Sequence, residues 1–599
     1  MTILLPASMI ISMNTRERIH PHLVTLYGES VADQVWLKLS QILEKYSHKE
    51  IASSAPGIQL DERDALLITY GDTFQFPGQA PLQTLANFAD DHLGDAITGI
   101  HILPFYPYSS DDGFSVIDYR QVDPNLGTWE DIASLGERYR LMFDGVINHI
   151  SSRSEWFQAY LRDERPYSDY FITAHAGWDL SSVVRPRTLP LLTQVETASG
   201  PRSVWTTFSA DQIDLNYANP QVLLEIISLL LFYIERGMSI LRLDAIAYLW
   251  KEPGTTCIHL PQTHAAVKLI RAVFDAVAPQ VLLISETNVQ HEENISYFGD
   301  LIPGTNRTDA AQLVYQFPLA PLILHAFATG DASPLNRWAA TLDSKGHFFN
   351  FIASHDGIGV TPARGLLSES EMGALVDRCL AHGGRVSYKS NPDGTQIPYE
   401  LNITLYDALN NPSQPDPEHD ISRFMASQAI MLSLAGVPGI YVHSLFGSHN
   451  CLDCVGKTGQ SRSINREKFD LRQLETRLAQ PDSREGRILS AYRHLLTIRG
   501  QQPAFHPSGS QRVVRIAPEL FSIVRAAPDG SQTILCLVNA SQSKRQLHLD
   551  ARAMNGHNDP SLVDLISGAV YHSGASGFEI SLLPYQSCWL TPVSHGNPA

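Results

Sequence analysis

The sequence predicts an α/β protein: a (β/α)8 TIM barrel with insertions after strands 3 and 7, an N-terminal helical extension and a C-terminal antiparallel β domain. Three observations carry this. Between residues 64 and 500, eight short apolar runs of strand length alternate with stretches, most of helix length. Four of those runs close on an acid or a histidine, which is where barrels of this kind keep their chemistry. Beyond about Gln501 the period changes to short alternating strands bounded by turn residues.

Taken in order, the first residues, Met1 to Met13, are apolar but do not make a signal peptide. No basic residue precedes Ile3-Leu4-Leu5, Pro6 interrupts the run, and no cleavage site follows before Arg16. A disordered tip, or a start at Met13, is expected. From Ser30 to Tyr46 the residues Val31, Val35, Leu39, Ile42 and Leu43 recur at helical spacing, giving an amphipathic capping helix. Ser47 to Arg63 is largely polar, contains Pro56-Gly57, and reads as a linker. The eight strands follow: Ala65 to Tyr70, Ala96 to Phe105, Leu141 to Ile147, Ser239 to Ile246, Val281 to Glu286, Leu313 to Phe317, Phe348 to Ser354 and Gly439 to Ser444.

Two long interruptions leave strand C-termini: His149 to Asn216, where the helical period disappears, and Gly357 to Asn402, which is rich in Gly, Pro and Asn. The predicted organisation is an extension over 1–63 and barrel segments over 64–148, 217–357 and 403–500. Inserted regions occupy 149–216 and 358–402, and a β domain occupies 501–599. Its expected strands are Gln511 to Ile516, Leu520 to Arg525, Thr533 to Asn539 and Phe578 to Leu590.

Composition narrows the function. A net charge of -18 argues against nucleic-acid partners and anionic membranes, so any anionic substrate needs a local cluster of cations. Nowhere do about 18 uncharged apolar residues run together, so no membrane span is expected. The six cysteines are sparse and irregular. Cys451-Leu452-Asp453-Cys454 has CxxC spacing without a second ligand pair nearby, so the pair reads as incidental, the thiols as reduced and the compartment as cytoplasmic.

The stretch Met238 to Ile246 organises the rest. Arg242 and Asp244, at i and i+2 of a strand, point to one face. Alone, such a pair is more often a structural salt bridge than a prepared site. Strand 3, however, closes with Asp144-Gly145-Val146-Ile147-Asn148-His149, strand 5 with Ser285-Glu286-Thr287-Asn288 and strand 7 with Ser354-His355-Asp356. Each has a plain reading by itself: Asp356 capping a turn, His149 a satisfied half-buried histidine, Glu286 paired with a base. Together, three carboxylates and two histidines on one rim would repel one another unless a substrate or cation sat among them.

These four stretches resemble, in order, the signature regions of the α-amylase superfamily of retaining glycoside enzymes. The resemblance to its sucrose phosphorylase group extends over roughly residues 65 to 500. It includes Phe105-Tyr106-Pro107, Asp111-Asp112-Gly113-Phe114, Arg185-Pro186-Arg187, Gln212-Ile213-Asp214, His355-Asp356-Gly357-Ile358-Gly359-Val360 and Arg462-Ser463-Ile464-Asn465-Arg466. Within that group the chain is most similar to the glucosylglycerate phosphorylases. It shares the N-terminal extension, Ser109-Ser110-Asp111-Asp112-Gly113, Trp250-Lys251-Glu252-Pro253-Gly254-Thr255 and Asn391-Pro392-Asp393-Gly394-Thr395.

The resemblance implies reversible phosphorolysis of glucosylglycerate to glucose 1-phosphate and glycerate, with small molecules as substrates and the oligomeric state left open. It implies Asp244 as nucleophile, Glu286 as acid and base, and Asp356 as the carboxylate that holds the 2- and 3-hydroxyls. Arg242 is expected to keep Asp244 ionised. His149 and His355 would bind glucosyl hydroxyls beside Gln212, Phe114 would stack on the sugar, and Asp111 and Arg462 would form the ion pair closing the far wall. Arg187 matches an anion-binding arginine, and Tyr399 a tyrosine on the opposing loop. Lys389 and Arg364 read as surface cations.

Several α-amylase relatives bind calcium through the strand 3 asparagine, here Asn148. The sucrose phosphorylase group resembles them without needing a metal, so no cofactor is expected. A sucrose or sucrose 6F-phosphate phosphorylase, a hydrolase or transglucosidase of the same fold, and a non-catalytic relative remain the alternatives.

Overall fold

A computed structural model describes residues 7–47, 60–305, 307–342, 345–390, 395–550, 561–574 and 577–593. Eight parallel strands close into a barrel. They are β1 Leu66–Thr69, β2 Gly99–Ile102, β3 Arg140–Gly145, β4 Met238–Leu243, β5 Leu282–Ser285, β6 Leu313–Tyr315, β7 His347–Asn350 and β8 Val437–Tyr441. Each falls within or beside its predicted run. Closure is direct, Leu66 lying opposite Gly99 on one side and Gly439 on the other. Both faces of the sheet are covered, the interior by side chains and the exterior by helices. The strands therefore read as continuous apolar runs rather than as alternation.

Helices α1 (Ala7–Tyr27) and α2 (Glu29–Ser47) pack on the barrel helices Pro220–Glu235 and Pro261–Val277. The second matches the expected amphipathic helix. The first replaces the expected disordered tip from Ala7 onward: Ile19, Leu23 and Leu26 are buried against the barrel, and Arg18 pairs with Asp275 at 2.5 Å. Its apolar residues sit among Arg, His and Pro, so the sequence period is weak. Most of the predicted linker, 48–59, lies outside the described residues.

The 149–216 insertion contains the ribbon His149–Ser151 with Gln212–Asp214 and a three-stranded sheet of Thr173–Ala174, Gly200–Trp205 and Leu192–Thr197. The 358–402 insertion is more regular than its composition suggests. It holds a three-stranded sheet and the helix Glu369–Ala381, started by a capping box in which Ser368 and Glu371 satisfy each other's backbone. Residues 391–394 of the loop singled out above lie outside the described residues.

In the C-terminal domain the predicted run Phe578 to Leu590 is two strands, Phe578–Leu582 and Ser587–Pro592. Between them Pro584 cannot continue a ladder and Tyr585 takes φ 56°. Two buried guanidiniums fasten this domain to the barrel. Arg499 donates to Leu432 O and Phe505 O, while Arg525 donates to Ser433 O and His506 O.

The reduced state expected of the CxxC pair is not what the structure has: Cys451 and Cys454 form a disulfide, their Cα atoms 5.2 Å apart. Cys451 caps the helix Leu452–Thr458, and the i, i+3 spacing brings both sulfurs to one side. Cys257, Cys379, Cys536 and Cys588 are free and buried. Among the described residues, no helix is long and apolar enough to cross a membrane.

The barrel interior leaves no room at Gly439, where a Cβ would come to 2.5 Å from Phe349 Cε1. Gly439→Ala is expected to destabilise the protein by about 1–3 kcal/mol through overpacking, read as a lowered thermal midpoint; an unchanged midpoint would show that the ring has space to yield.

Candidate active site

The carboxylates predicted to converge line one cleft at the C-terminal end of the barrel, Asp244 and Glu286 beside the guanidinium of Arg242 and Asp356 against that of Arg462. Arg242, in β4, is 2% exposed in its side chain. Its Nη1 donates to Asp144 Oδ1 at 2.5 Å and to Asp244 Oδ1 at 2.8 Å. Nη2 lies 3.9 Å from Glu286 Oε2. The same-face spacing of Arg242 and Asp244 thus becomes a direct hydrogen bond, while β3 and β5 bring their acids in from either side. Asp144, to which sequence reasoning gave no role, also accepts from His101 Nε2 at 2.7 Å. Just past β4, Ala245 takes a left-handed conformation at φ 49°, and its N–H donates to Glu286 Oε2 at 3.0 Å. The backbone beside one carboxylate therefore positions the other.

Protonation follows from this arrangement. Burial pushes Glu286 up, with Asp244 and Asp356 adding to it against Arg242, and its pKa rises to about 7. Burial raises Asp244 as well, and Arg242, expected to keep it ionised, opposes that rise without cancelling it. Arg242 hydrogen-bonds Asp244 and only faces Glu286 from a distance, so a single proton on the pair resides on Glu286. Asp144 is held below the usual range: burial opposes this, and His101 and Arg242 overcome it. For Asp356 burial is likewise outweighed, chiefly by Arg462, and the carboxyl stays well below the usual range. Burial keeps His355 neutral.

One cleft of about 740 Å3, measured out to its mouth, is lined by all of Asp244, Glu286, Asp356, Asp111, Phe114, His149, Arg187, Gln212, His355, Tyr399 and Arg462. Arg242 lies behind it. Phe114 and His355 stack with ring centroids 4.8 Å apart and an interplanar angle of 4°. Phe114 O lies 2.9 Å from His149 Nε2 and accepts from Gln212 Nε2 at 3.1 Å.

The expected ion pair of Asp111 with Arg462 is not formed. Arg462 Nη1 is 2.6 Å from Asp356 Oδ1, and its other edge forks onto Glu400 at 2.5 and 3.1 Å. Asp111 instead lies 3.5 Å from Gln212 Nε2. Glu400 is buried in the 358–402 insertion, and nothing in its sequence surroundings distinguished it. Arg187 Nη1 lies 3.9 Å from Glu400 Oε2, and its guanidinium sits 6.0 Å from the centroid of the Tyr399 ring. Tyr248, Asn288 and Phe208 complete the wall and were also missed.

The residues present do not fit a metal. Lys251 Nζ occupies the space between Asn148 Oδ1, at 2.6 Å, and Asp214 Oδ2, at 2.5 Å. A divalent cation there would face an ammonium. Among the described residues no cluster of three or more His, Cys, Asp or Glu could hold a metal ion.

Comparison with known proteins shows the family to which the chain belongs. The alpha-amylase catalytic domain profile matches residues 92–356. The chain is 49% identical over 583 residues to a glucosylglycerate phosphorylase of Allomeiothermus silvanus, covering 96% of this chain and 98% of the relative. It is 41% identical over 580 residues to a glucosylglycerate phosphorylase of Escherichia coli, covering 96% of this chain and all of the relative. The crystal structure of a sucrose 6F-phosphate phosphorylase from Thermoanaerobacter thermosaccharolyticum superposes with a TM-score of 0.69 at 24% identity, over 89% of this chain and 99% of that one, a likeness of fold.

The raised pKa of Glu286 has a consequence for stability. The folded chain holds this proton up to about pH 7, whereas an unfolded glutamate releases it near 4.5. Between those values the folded state binds more protons, so stability falls as pH rises through the window and is level above it. The fall attributable to Glu286 is about 3 kcal/mol. Glu286→Gln, which cannot ionise, is expected to lose less thermal stability between pH 5 and pH 8 than the parent, as read by calorimetry. An equal loss would place the proton elsewhere.

Proposed function

We propose, from the premise that this chain belongs to the alpha-amylase family and lies beside the glucosylglycerate phosphorylases within it, that it is a retaining glucosylglycerate phosphorylase. It interconverts glucosylglycerate and inorganic phosphate with glucose 1-phosphate and glycerate by double displacement. The glucosyl unit occupies the floor of the cleft. Asp244 attacks the anomeric carbon and forms a glucosyl ester while Glu286 delivers its proton to the departing oxygen of glycerate. Phosphate then attacks the anomeric carbon, the bond from that carbon to Asp244 breaks and frees the carboxylate, Glu286 takes back a proton from the phosphate, and the configuration is retained. Asp356, kept ionised by Arg462, takes the sugar hydroxyls and steadies the oxocarbenium-like transition state. His149, His355, Gln212 and Phe114 shape the glucosyl pocket, and Asp111 lies at its edge.

Arg187 carries the choice of phosphorylase over hydrolase. It is a part-exposed guanidinium on the same cleft as Asp244 and Glu286, and its nearest carboxylate among the described residues is 3.9 Å away. A cation held this loosely beside the attacking position suits an arriving dianion, and the carboxylate of glycerate suits it equally well. Tyr399 backs the guanidinium from the opposite insertion. The substrates are small molecules, and because glucose 1-phosphate is charged and cannot diffuse out through a membrane, the reaction belongs in the cytoplasm.

Supplying glucose 1-phosphate with D-glycerate, fructose, fructose 6-phosphate or glycerol in turn is expected to release phosphate fastest with glycerate. Faster release with fructose or its 6-phosphate would replace the acceptor, and equal release without any acceptor would make the enzyme a hydrolase. Asp244→Asn is expected to abolish turnover and leave no trapped glucosyl ester by mass spectrometry. Arg187→Ala should lower kcat/KM for phosphorolysis by roughly 100-fold or more, the scale of a lost charged contact of about 3 kcal/mol, while hydrolysis of the same donor changes far less. Equal losses in both would remove Arg187 from the anion site. Since Glu286 must carry its proton in the first step, that step should slow as pH rises above about 7. Glu286→Gln should remove this limb and retain activity on glucosyl fluoride, whose leaving group needs no proton.

A further inference from the structure

The segment 250–257, which follows the strand carrying Asp244, takes no part in the reaction as derived, yet it holds a lysine whose side chain is buried. Lys251 is 2% exposed in its side chain and its ammonium touches Asp214 and Asn148. Burying an ammonium is costly unless its partners are fixed, and they are. Asp214 also accepts from the backbone N–H of Thr207 at 2.8 Å, from Thr207 Oγ1 at 2.7 Å and from Asn148 Nδ2 at 3.1 Å. Around the lysine, the same segment grips the 149–216 insertion. Gly254 N donates to Asp179 O at 2.8 Å, Val184 N donates to Thr256 O at 3.0 Å, and Cys257 is buried with Ile172, Val183 and Trp205.

We propose that Lys251 is a positioning residue: its ammonium locks the insertion after β3 to the strand carrying Asp244, and thereby fixes His149, Gln212 and Arg187 about the substrate. Three connections carry this. Asp214 pairs with His149 across the ribbon that also holds Gln212. The Asn148 amide, its oxygen engaged by Lys251, turns its Nδ2 toward His149 Nδ1 at 3.2 Å. That N–H makes Nδ1 the acceptor, so the ring proton sits on Nε2 and is donated to Phe114 O. The bond at Val184 anchors the chain three residues before Arg187.

The inference rests on the proposed reaction for its kinetic arm alone; hydrogen exchange reads the insertion without it. In Lys251→Ala, deuterium uptake over 179–187 and 205–216 is expected to rise while barrel strands stay protected. In the same variant kcat/KM should fall by ~10- to 100-fold, the scale of a sub-ångström to ångström displacement of a reacting group. Propylammonium, which replaces the deleted atoms, should restore both, and tetramethylammonium at equal ionic strength should restore neither. Unchanged uptake, or equal restoration by the two amines, would overturn the proposal. Should the alanine variant fail to fold, Asp214→Asn keeps the lysine but removes its counter-charge and should raise uptake in the same segments; parent-like uptake there would overturn the proposal equally.

Discussion

The site depends on one buried positive charge. Three carboxylates could not stay packed at the ends of β3, β4 and β5 without Arg242, because Asp144 is fully buried, Asp244 and Glu286 are largely so, and each would raise the others' pKa. The guanidinium does not share itself equally. It hydrogen-bonds Asp144 and Asp244 and leaves Glu286 at 3.9 Å. That inequality separates the roles of two chemically similar acids: one stays anionic and the other retains a proton near neutrality. Asp144, further stabilised by His101, holds the guanidinium in place rather than meeting the substrate.

A second line of charges runs from this cluster to the mouth of the cleft. Asp356 pairs with Arg462, Arg462 forks onto Glu400, and Glu400 faces Arg187. The last contact is the loosest. The inner charges are paired at 2.5 to 2.6 Å, whereas Glu400 and Arg187 stand 3.9 Å apart. An anion bound at Arg187, as proposed, would displace this weak contact and leave the inner pairs that hold Asp356 undisturbed.

The eight barrel strands were legible because each is an apolar run of the right length, and the acids at their ends because i, i+2 spacing survives folding. Helix α1 was not legible, since Arg18, His20 and Pro21 interrupt its apolar side. Nor was the regular core of the second insertion, whose Gly, Pro and Asn content hid the capping box at Ser368. In the site, Asp111 and Arg462 were both found, but their partners were wrong. Pairing across insertions depends on where two long loops meet, and no periodicity encodes that. Glu400 and Lys251 were illegible for the same reason: a buried charge is recognised by its partner, and each partner lies in a different segment.

The two insertions therefore have unequal tasks. The one after β7 brings Tyr399 and Glu400 on a short three-stranded sheet whose pairing to Ile358 and Gly359 ties it to the strand 7 end. The one after β3 is longer and brings His149, Gln212 and Arg187 to the cleft from points far apart in sequence. It can hold them in register only if it is anchored at more than its two ends. The Asp214 to Lys251 pair and the bonds at Gly254 and Thr256 provide that third attachment, and they take it from the loop after β4. The strand that carries Asp244 is thus also tied to the wall that carries Arg187, and the distance between the two is set within one connected stretch of structure.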